Sequence, residues 1–316
     1  MAISTKIIKA RLRSIGNTKK ITRAMEMVAA AKMRKTVNAV LASRAYSSAA
    51  WQTVLDLAGK VDPLASPLLK KPSAKEATGK IGVIIITSNR GLCGGFNLQV
   101  INSALHYLMT QQQSGQPAEI IDEWIVMGKR GGEFLVRNRK KVVAEFDKLD
   151  VATEAEAVAG LARLVMDDYL SGKYDKIMIA YTDFVSALIQ KPRIKQLLPI
   201  EPVMDAELGT IGRPDKNDLV KDDLVNKANE IAEYLFEPNP TEVLNRFLPR
   251  LVQIQLFQAL LESNASEHSA RMLAMRNASD AAGEMIDDLT LTYNQARQAG
   301  ITREIAEISG GKAALE

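Results

Sequence analysis

The stretch GVIIITSNRGLCGGFN, residues 82–97, contains the residue types of a phosphate-binding loop. A run of apolar β-forming residues leads into a glycine-rich turn, Arg90 could meet an anion, and a following helix would offer free N–H groups. The glycine spacing fits neither the G-x-G-x-x-G loop of dinucleotide-binding proteins nor the G-x-x-x-x-G-K-[ST] loop of nucleoside triphosphatases. We therefore interpret the stretch as a tight turn in which glycine supplies positive φ angles.

The single cysteine, Cys93, lies in the same glycine loop. A neighbouring Arg90 could activate a thiol for catalysis, but a lone cysteine is more often a small packing residue. One cysteine cannot form an internal disulfide, which fits a reducing compartment. The two histidines, His106 and His268, fall in helical patterns, and the sequence has no H-E-x-x-H, C-x-x-C or G-x-S-x-G motif. The sequence thus predicts a chain that is not an enzyme and has no cofactor or metal site.

The glycine loop is set in an alternation of strand and helix patterns. Strand-like runs such as KIGVIIIT, EWIVMG, KVVAEF and KIMIAYT alternate with helical ones, which predicts a mostly parallel sheet with helices on its faces. The run ALIQKPRIKQLLPI is expected to return antiparallel, with Pro192 at an edge or bulge. A polar, glycine-containing loop is expected over residues 201–227, and a kink or restart of the next helix at Pro249.

The two ends of the 316-residue chain are predicted to be very long helices. Residues 3–58 contain no proline, and Ile21, Met25 and Val28 follow the 3–4 spacing of a packing seam. Residues 250–308 keep the same rhythm through Met275, Ala282 and other apolar positions. The fold class is therefore α/β, with a long antiparallel coiled coil of the N- and C-terminal helices and an inserted Rossmann-like α/β domain. The expected divisions are 1–58 (N-terminal coiled-coil helix), 59–79 (linker), 80–200 (α/β domain), 201–240 (loop and foot) and 241–316 (C-terminal coiled-coil helix).

Charge is unevenly distributed although the net charge is only +4. In residues 1–44 the only acid among many lysines and arginines is Glu26, whereas the last quarter leans acidic. A basic end indicates an acidic partner: nucleic acid, anionic lipid or an acidic protein surface. A coiled-coil DNA-binding scaffold and a dinucleotide-dependent enzyme built on the α/β domain are the alternatives. No apolar run reaches the roughly 18 residues that a membrane span needs.

Several long segments together resemble the γ subunit family of F-type ATP synthases, the central rotor shaft. They are NTKKITRAMEMVAAAKMRK (17–35), SNRGLCGGFN (88–97), LLESNASEHSARMLAMRNASDAA (260–282), YNQARQAGIT (293–302) and ITREIAEISGGKAAL (301–315). The resemblance implies a non-catalytic shaft that turns inside a ring of three α and three β subunits and couples ion flow across a membrane to ATP synthesis or hydrolysis. Lys312 departs from the small residue usual at that position.

The resemblance also implies contact residues and a location. It places one group of side chains against the β subunits and another group where a foot meets the ε subunit and the membrane c-ring. It implies no nucleic-acid partner. It implies a peripheral membrane protein on the cytoplasmic face of the bacterial inner membrane. The lack of a removable leader separable from the first helix favours a bacterial chain or a mature organellar one. The implied β contacts are Arg23, Met25, Lys32, Arg34, Lys35, Arg90, Cys93, Arg297, Gln298 and Thr302, and the implied foot residues are Tyr234, Phe236 and Glu237.

Overall fold

A computed structural model describes residues 5–58, 66–70, 79–113, 121–152, 154–200 and 239–315. The expected foot residues and the 201–227 stretch lie outside these ranges, and the five-part division of the chain stays a prediction. The described elements, in chain order, are α1 (Thr5–Ala58), β1 (Lys80–Ile86), α2 (Phe96–Gln113), β2 (Ile121–Met127), α3 (Lys129–Arg137), β3 (Lys141–Phe146), a 3-10 turn (Ala155–Val158), α4 (Ala159–Leu170), β4 (Lys176–Phe184), β5 (Gln190–Leu198) and α5 (Pro240–Leu315).

The five strands form one sheet in the order β3-β2-β1-β4-β5. The first four are parallel, and β5 pairs antiparallel with β4 at the edge. The expected antiparallel return is thus confirmed, and Pro192 lies on that edge strand, where a missing N–H is tolerated. The central strands are buried on both faces, so they read as continuous apolar runs.

Alternate residues of the strands pack into two separate cores. On one face Val83 and Ile85 of β1 lie with Val100 and Leu108 of α2. On the other face Ile84 and Ile86 lie in the core that contains residues of α4, of α1 and of the first part of α5. The period of two along β1 decides which core each side chain joins.

The chain divides into two compact units, and α1 and α5 each contribute to both. The α/β unit comprises Ala31–Ala270, and the helical unit comprises Met1–Ala30 with Arg271–Glu316. In the helical unit α1 and α5 run antiparallel, because Lys19 lies beside Gly283 whereas Arg23 shares a groove with Ser279. The long antiparallel helices expected from the sequence are confirmed.

The seam of the helical unit differs from the one expected in α1. Ile21 and Val28 are 60% and 58% exposed, so their assignment to the seam is wrong. The inward positions of α1 form a heptad series that includes polar and small residues: Ile8, Ile15, Thr22 and Ala29. The α5 seam follows the expected rhythm through Met275, Ser279, Ala282, Ile286, Leu289, Tyr293 and Ala296.

The sequence predicts a kink or a restart of the helix at Pro249, and the restart is not observed. Pro249 lies inside α5, so the helix does not restart there. The helical segment before β4 begins with the 3-10 turn, and regular α-helix starts at Ala159. The local sequence pattern predicts the type of each element more accurately than the residues at which it begins and ends.

Candidate functional site

The glycine loop, residues 87–97, is closed by its own side chains. Asn97 accepts the Ser88 N–H through Oδ1 at 2.9 Å and donates through Nδ2 to Ser88 Oγ at 2.7 Å. Ser88 Oγ donates in turn to the Arg90 carbonyl oxygen at 2.7 Å. Leu92 and Gly94 have φ angles of 62° and 58°, as a tight turn requires. These bonds support the interpretation of this loop as a turn.

The N-terminus of α3, a second candidate anion site, is occupied by protein groups. Gly131 N donates to Thr87 Oγ1 at 2.9 Å, and Arg130 N donates to the Ser88 carbonyl at 3.0 Å. Gly128 N likewise reaches the Phe146 carbonyl at 3.3 Å. In doubly wound folds dinucleotides bind outside the carboxyl ends of the strands. Here the Thr87 side chain takes an N–H group that a phosphate would need.

Cys93 is buried inside the glycine loop, with 2% of its surface exposed. Its Sγ lies 3.4 Å from Asn97 Nδ2 and 3.7 Å from Ser88 Oγ. The thiol therefore packs beneath the loop, while Arg90 and Leu92 are exposed on it. Any contact with another chain at this loop would be made by those exposed side chains.

Three further residues of the expected contact set lie on α1 within the α/β unit. Lys32 Nζ forms an ion pair with Asp150 Oδ2 at 2.7 Å, and both side chains are about two-fifths exposed. Arg34 and Lys35 are exposed. The glycine loop lies near Asp150 in the sequence segment that follows β3, because Asn89 Nδ2 donates to the Lys148 carbonyl at 2.7 Å. The structure thus brings Lys32 and the glycine loop to one short segment, residues 148–150.

The remaining residues of the expected set lie in the helical unit. Arg23 is bridged to Glu26 at 2.7 Å, and Met25 is half-buried. Lys19, Lys20 and Arg23 line a groove with Ser279 and Asp280. Farther along α5, Arg297, Gln298 and Thr302 are exposed, and Thr302 Oγ1 donates to the helix's own Gln298 carbonyl at 3.0 Å.

A polar belt on α5, residues 258–269, has no counterpart in the expected site. Its charged and polar side chains are buried although they belong to a helix that reads as polar. Several of them bond to elements far away in sequence, which local periodicity could not reveal. Among the described residues, Ser263 Oγ has no hydrogen-bond partner. The only sequence signal was that this stretch belongs to the resemblance. The buried members are Gln258, Glu262, Ser263, Asn264, Ser266, Glu267, His268 and Ser269.

The polar belt joins α5 to the sheet and to α1. Glu262 accepts the Phe184 N–H at 3.0 Å and faces Arg44 of α1 at 3.3 Å. Ser266 Oγ donates to the Thr182 carbonyl at 3.2 Å, and Ser269 Oγ donates to the Ala187 carbonyl at 2.5 Å. Because these hydrogen bonds are directional and lie in buried or partly buried surroundings, they fix how α5 is rotated about its axis and where it sits along the sheet.

The comparisons with known proteins agree over the whole chain. The family model described as ATP synthase matches residues 4–315. The ATP synthase gamma chain of Roseiflexus castenholzii is 39% identical over 99% of this chain and 98% of its own length. This chain belongs to the ATP synthase gamma-chain family. The gamma chain of Dehalococcoides mccartyi strain CBDB1, another family member, is 41% identical over 98% of both chains.

Solved structures share the fold at lower identity. A chain of the mitochondrial ATP synthase of Euglena gracilis has a TM-score of 0.63 at 20% identity and covers 98% of this chain and 94% of its own. A chain of the central stalk and c-ring structure from Tetrahymena thermophila has a TM-score of 0.56 at 23% identity, covering 82% and 99%. These two chains therefore share the fold, with long terminal helices around an α/β sheet, at low sequence identity.

Among the described residues, no helix has a stretch long and apolar enough to cross a bilayer. Within the same ranges, histidine, cysteine, aspartate and glutamate side chains form no group suited to holding a metal ion.

Proposed function

We propose that this chain is the central rotor subunit of the F1 sector of an ATP synthase and has no catalytic site of its own. It turns inside a ring of three α and three β subunits and couples ion flow through the membrane c-ring to ATP synthesis or hydrolysis. The proposal is supported by gamma-chain relatives matched over nearly their full length and by neighbours described as rotor and central stalk.

The observation that carries the proposal is the exposure of the last part of α5. Every residue from Arg297 to Ser309 is exposed. Ile301, Ile305 and Ile308 are among them, at 48%, 60% and 74% exposure. A helix with exposed apolar residues is stable in this form when other chains surround it. A bearing formed by the ring of subunits supplies such surroundings.

The N-terminus of α3, which is occupied by protein groups, supports a non-catalytic role. A nucleotide would need backbone N–H groups at a helix N-terminus, and at α3 Gly131 N–H is already bonded to Thr87. The catalytic sites therefore belong to the ring, and this chain presents an asymmetric surface to them.

We assign the basic side chains to contacts with an acidic segment of the β subunits. Arg23, Met25, Lys32, Arg34 and Lys35 make these contacts, and Arg90 of the glycine loop adds to them, with Cys93 packed beneath. Arg297 and Gln298 hydrogen-bond a β-subunit loop during rotation, with Thr302 close by. Cys93 is buried and Met25 and Lys32 are partly buried, whereas the other side chains of this group are exposed and accessible to a partner, and charge complementarity directs the approach. Tyr234, Phe236 and Glu237 are assigned to the foot that meets the c-ring and the ε subunit.

The rotor assignment implies a location. A shaft joined to a c-ring is a peripheral membrane protein, and in a bacterium it lies on the cytoplasmic face of the inner membrane. The relatives named above are bacterial, which supports that location.

Co-purification tests the proposal. The chain is tagged in its own cells, membranes are solubilised gently, and the proteins that accompany it are identified. An accompanying ring of α and β subunits with magnesium-dependent ATPase activity, absent from the chain alone, is the expected result. Recovery of the chain alone, or with nucleic acid, from cells that make the ring subunits would contradict it.

A matched pair of charge reversals tests the assigned contacts in the same complex. Arg90→Glu places an acid in the exposed glycine loop, and we expect a loss of coupled ATP synthesis. Arg163→Glu changes an equally exposed arginine on α4 that has no assigned contact, and we expect normal synthesis. Equal synthesis in both variants would remove Arg90 from the contact set.

A further inference from the structure

Lys148 lies at the point where the glycine loop meets α5. Its backbone carbonyl accepts a hydrogen bond from Asn89 Nδ2 at 2.7 Å, at the start of the loop. Its ammonium lies 5.5 Å from the centre of the Phe96 ring, at the end of the loop. A single residue therefore contacts both ends of the loop that presents Arg90.

The same ammonium forms a buried ion pair with α5. Lys148 Nζ lies 2.6 Å from Glu267 Oε2, and the two side chains are 1% and 5% exposed. Neither ion can exchange its partner for solvent, and the charge-assisted hydrogen bond between them has a defined geometry. By contrast the Lys32–Asp150 pair on the same segment is half-exposed, where such pairs contribute little.

The two following residues bind the segment to α5 through their backbone. Asn264 Nδ2 donates to the Leu149 carbonyl at 3.0 Å, and His268 Nε2 lies 2.9 Å from the Asp150 carbonyl. A carbonyl oxygen only accepts, so the Nε2 atom of His268 carries the proton. The segment stays attached to α5 through these bonds even where the ion pair is absent.

We propose that Lys148 and Glu267 form a positioning pair that transmits load from the glycine loop to the rotor helix. The inference rests on the proposed rotor function and adds to it the route by which force on Arg90 reaches α5. Force on the loop acts on Asn89 and Phe96, both held by Lys148, and the ion pair passes it to Glu267. The segment's neutral bonds to α5 hold the fold, whereas the ion pair gives the loop its stiffness.

The test measures coupling in the complete membrane complex. Inverted vesicles carry the complex with wild-type chain, Lys148→Met, Lys148→Arg or the double variant Lys148→Met with Glu267→Gln. The measured quantity is the number of protons pumped per ATP hydrolysed, recorded as the opposing proton gradient is increased. Thermal unfolding of each complex is recorded in parallel.

Lys141→Met is the matched control. Lys141 pairs with the buried carboxylate of Glu123 at 2.5 Å, between β2 and β3, and Tyr174 also donates to that carboxylate at 2.8 Å. The control therefore removes a lysine from a buried glutamate that keeps a second partner, away from the glycine loop and from α5.

We expect Lys148→Met to lower pumping per ATP about threefold against a gradient, a typical size for a lost coupling contact. Lys148→Arg keeps the ion pair and restores pumping. The double variant regains thermal stability, because a neutral amide replaces the buried carboxylate that lost its ammonium partner, but it stays uncoupled. Lys141→Met changes thermal stability without changing pumping per ATP.

Two results would overturn the positioning pair. In one, the number of protons pumped per ATP falls in proportion to the loss of thermal stability in every variant. Lys141→Met would then lose pumping, and the double variant would regain it together with its stability. In the other, Lys148→Met pumps like wild type. A wild-type chain that does not assemble or pump would instead contradict the rotor function itself, so the two failures are distinguishable.

Discussion

Arg44 of α1 and Glu262 of α5 face each other inside the α/β unit, with Nη2 3.3 Å from Oε1. Glu262 is fully buried and also accepts hydrogen bonds from Phe184 N and Gln258 Nε2, each at 3.0 Å. Burial raises the pKa of Glu262 to about 7, Arg44 opposes the rise, and the nearby Asp183 carboxylate adds to it. Asp183 itself is paired with Arg193 at 2.7 Å. The junction of the two terminal helices thus contains a carboxyl that titrates near neutral pH.

The first prediction concerns the pH dependence that Glu262 causes. Its pKa is higher in the folded chain than the ordinary 4.5, so the folded state binds more protons between pH 4.5 and 7. The stability that this group contributes is therefore complete below pH 4.5 and is lost as the pH rises through 7. Glu262→Gln should remove this slope from the free energy of unfolding, measured by denaturant titration at several pH values. An unchanged slope in the variant would show that Glu262 is ionised throughout.

The second prediction concerns Lys195, which is buried in the edge strand β5. Burial and, to a smaller extent, the nearby Arg193 charge together lower the pKa of Lys195 to about 8. The folded chain therefore carries the full cost of the buried charge below pH 8 and loses that cost as the pH rises toward 10.5. Lys195→Met should stabilise the protein at pH 7 by about 1–3 kcal/mol, with a smaller gain at pH 10. A gain that is equal at both pH values would mean that charge is not the cause.

The third prediction compares two glycines. Gly128, between β2 and α3, has a φ of +102°, and a Cβ there would overlap the Thr87 carbonyl oxygen. Gly128→Ala should lower the free energy of unfolding by about 2–4 kcal/mol. Gly16 lies within α1 with nothing within 4 Å of an added Cβ, so Gly16→Ala should raise it by up to about 1 kcal/mol. Effects of the same sign in urea titrations would refute the comparison.

The fourth prediction concerns the exposed end of α5. Removal of residues 310–316 should reduce ATP synthesis less than Arg297→Glu, because a bearing depends little on specific bonds, whereas Arg297 is assigned to a hydrogen bond with a β-subunit loop. Synthesis is measured in vesicles energised by the same proton gradient, with assembly checked by the amount of ring recovered. Equal losses in the two variants would contradict the assignment of Arg297.

Most of the sheet was predictable from the sequence because each strand has a local signature. KIGVIIIT reads as a strand buried on both faces, and ALIQKPRIKQLLPI reads as an edge strand because of Pro192. The seam of α1 was not predictable in the same way. Its inward positions include Thr22, while Ile21 beside it points outward, so hydrophobicity selected the wrong face. Helices that meet through small and polar residues give little periodic signal.

Residue type and the family resemblance predicted which residues are candidate contacts, but not which of their side chains are exposed. Arg90 and Cys93 are three positions apart in the glycine loop, but packing leaves the arginine exposed and buries the thiol. The polar belt of α5 shows the limit most clearly. Glu267 and His268 look like surface residues of a polar helix, and their partners lie more than a hundred positions away in the chain.

The sequence by itself determined the two long terminal helices, the parallel sheet with its antiparallel edge, and the family. Those properties follow from local periodicity, proline and glycine placement, and long motifs. Only the tertiary structure decided that Thr87 fills the N-terminus of α3 and that Lys148 pairs with Glu267. The physical reason is that a polar side chain is satisfied by whatever folding brings beside it, and a local pattern contains no information about a distant partner.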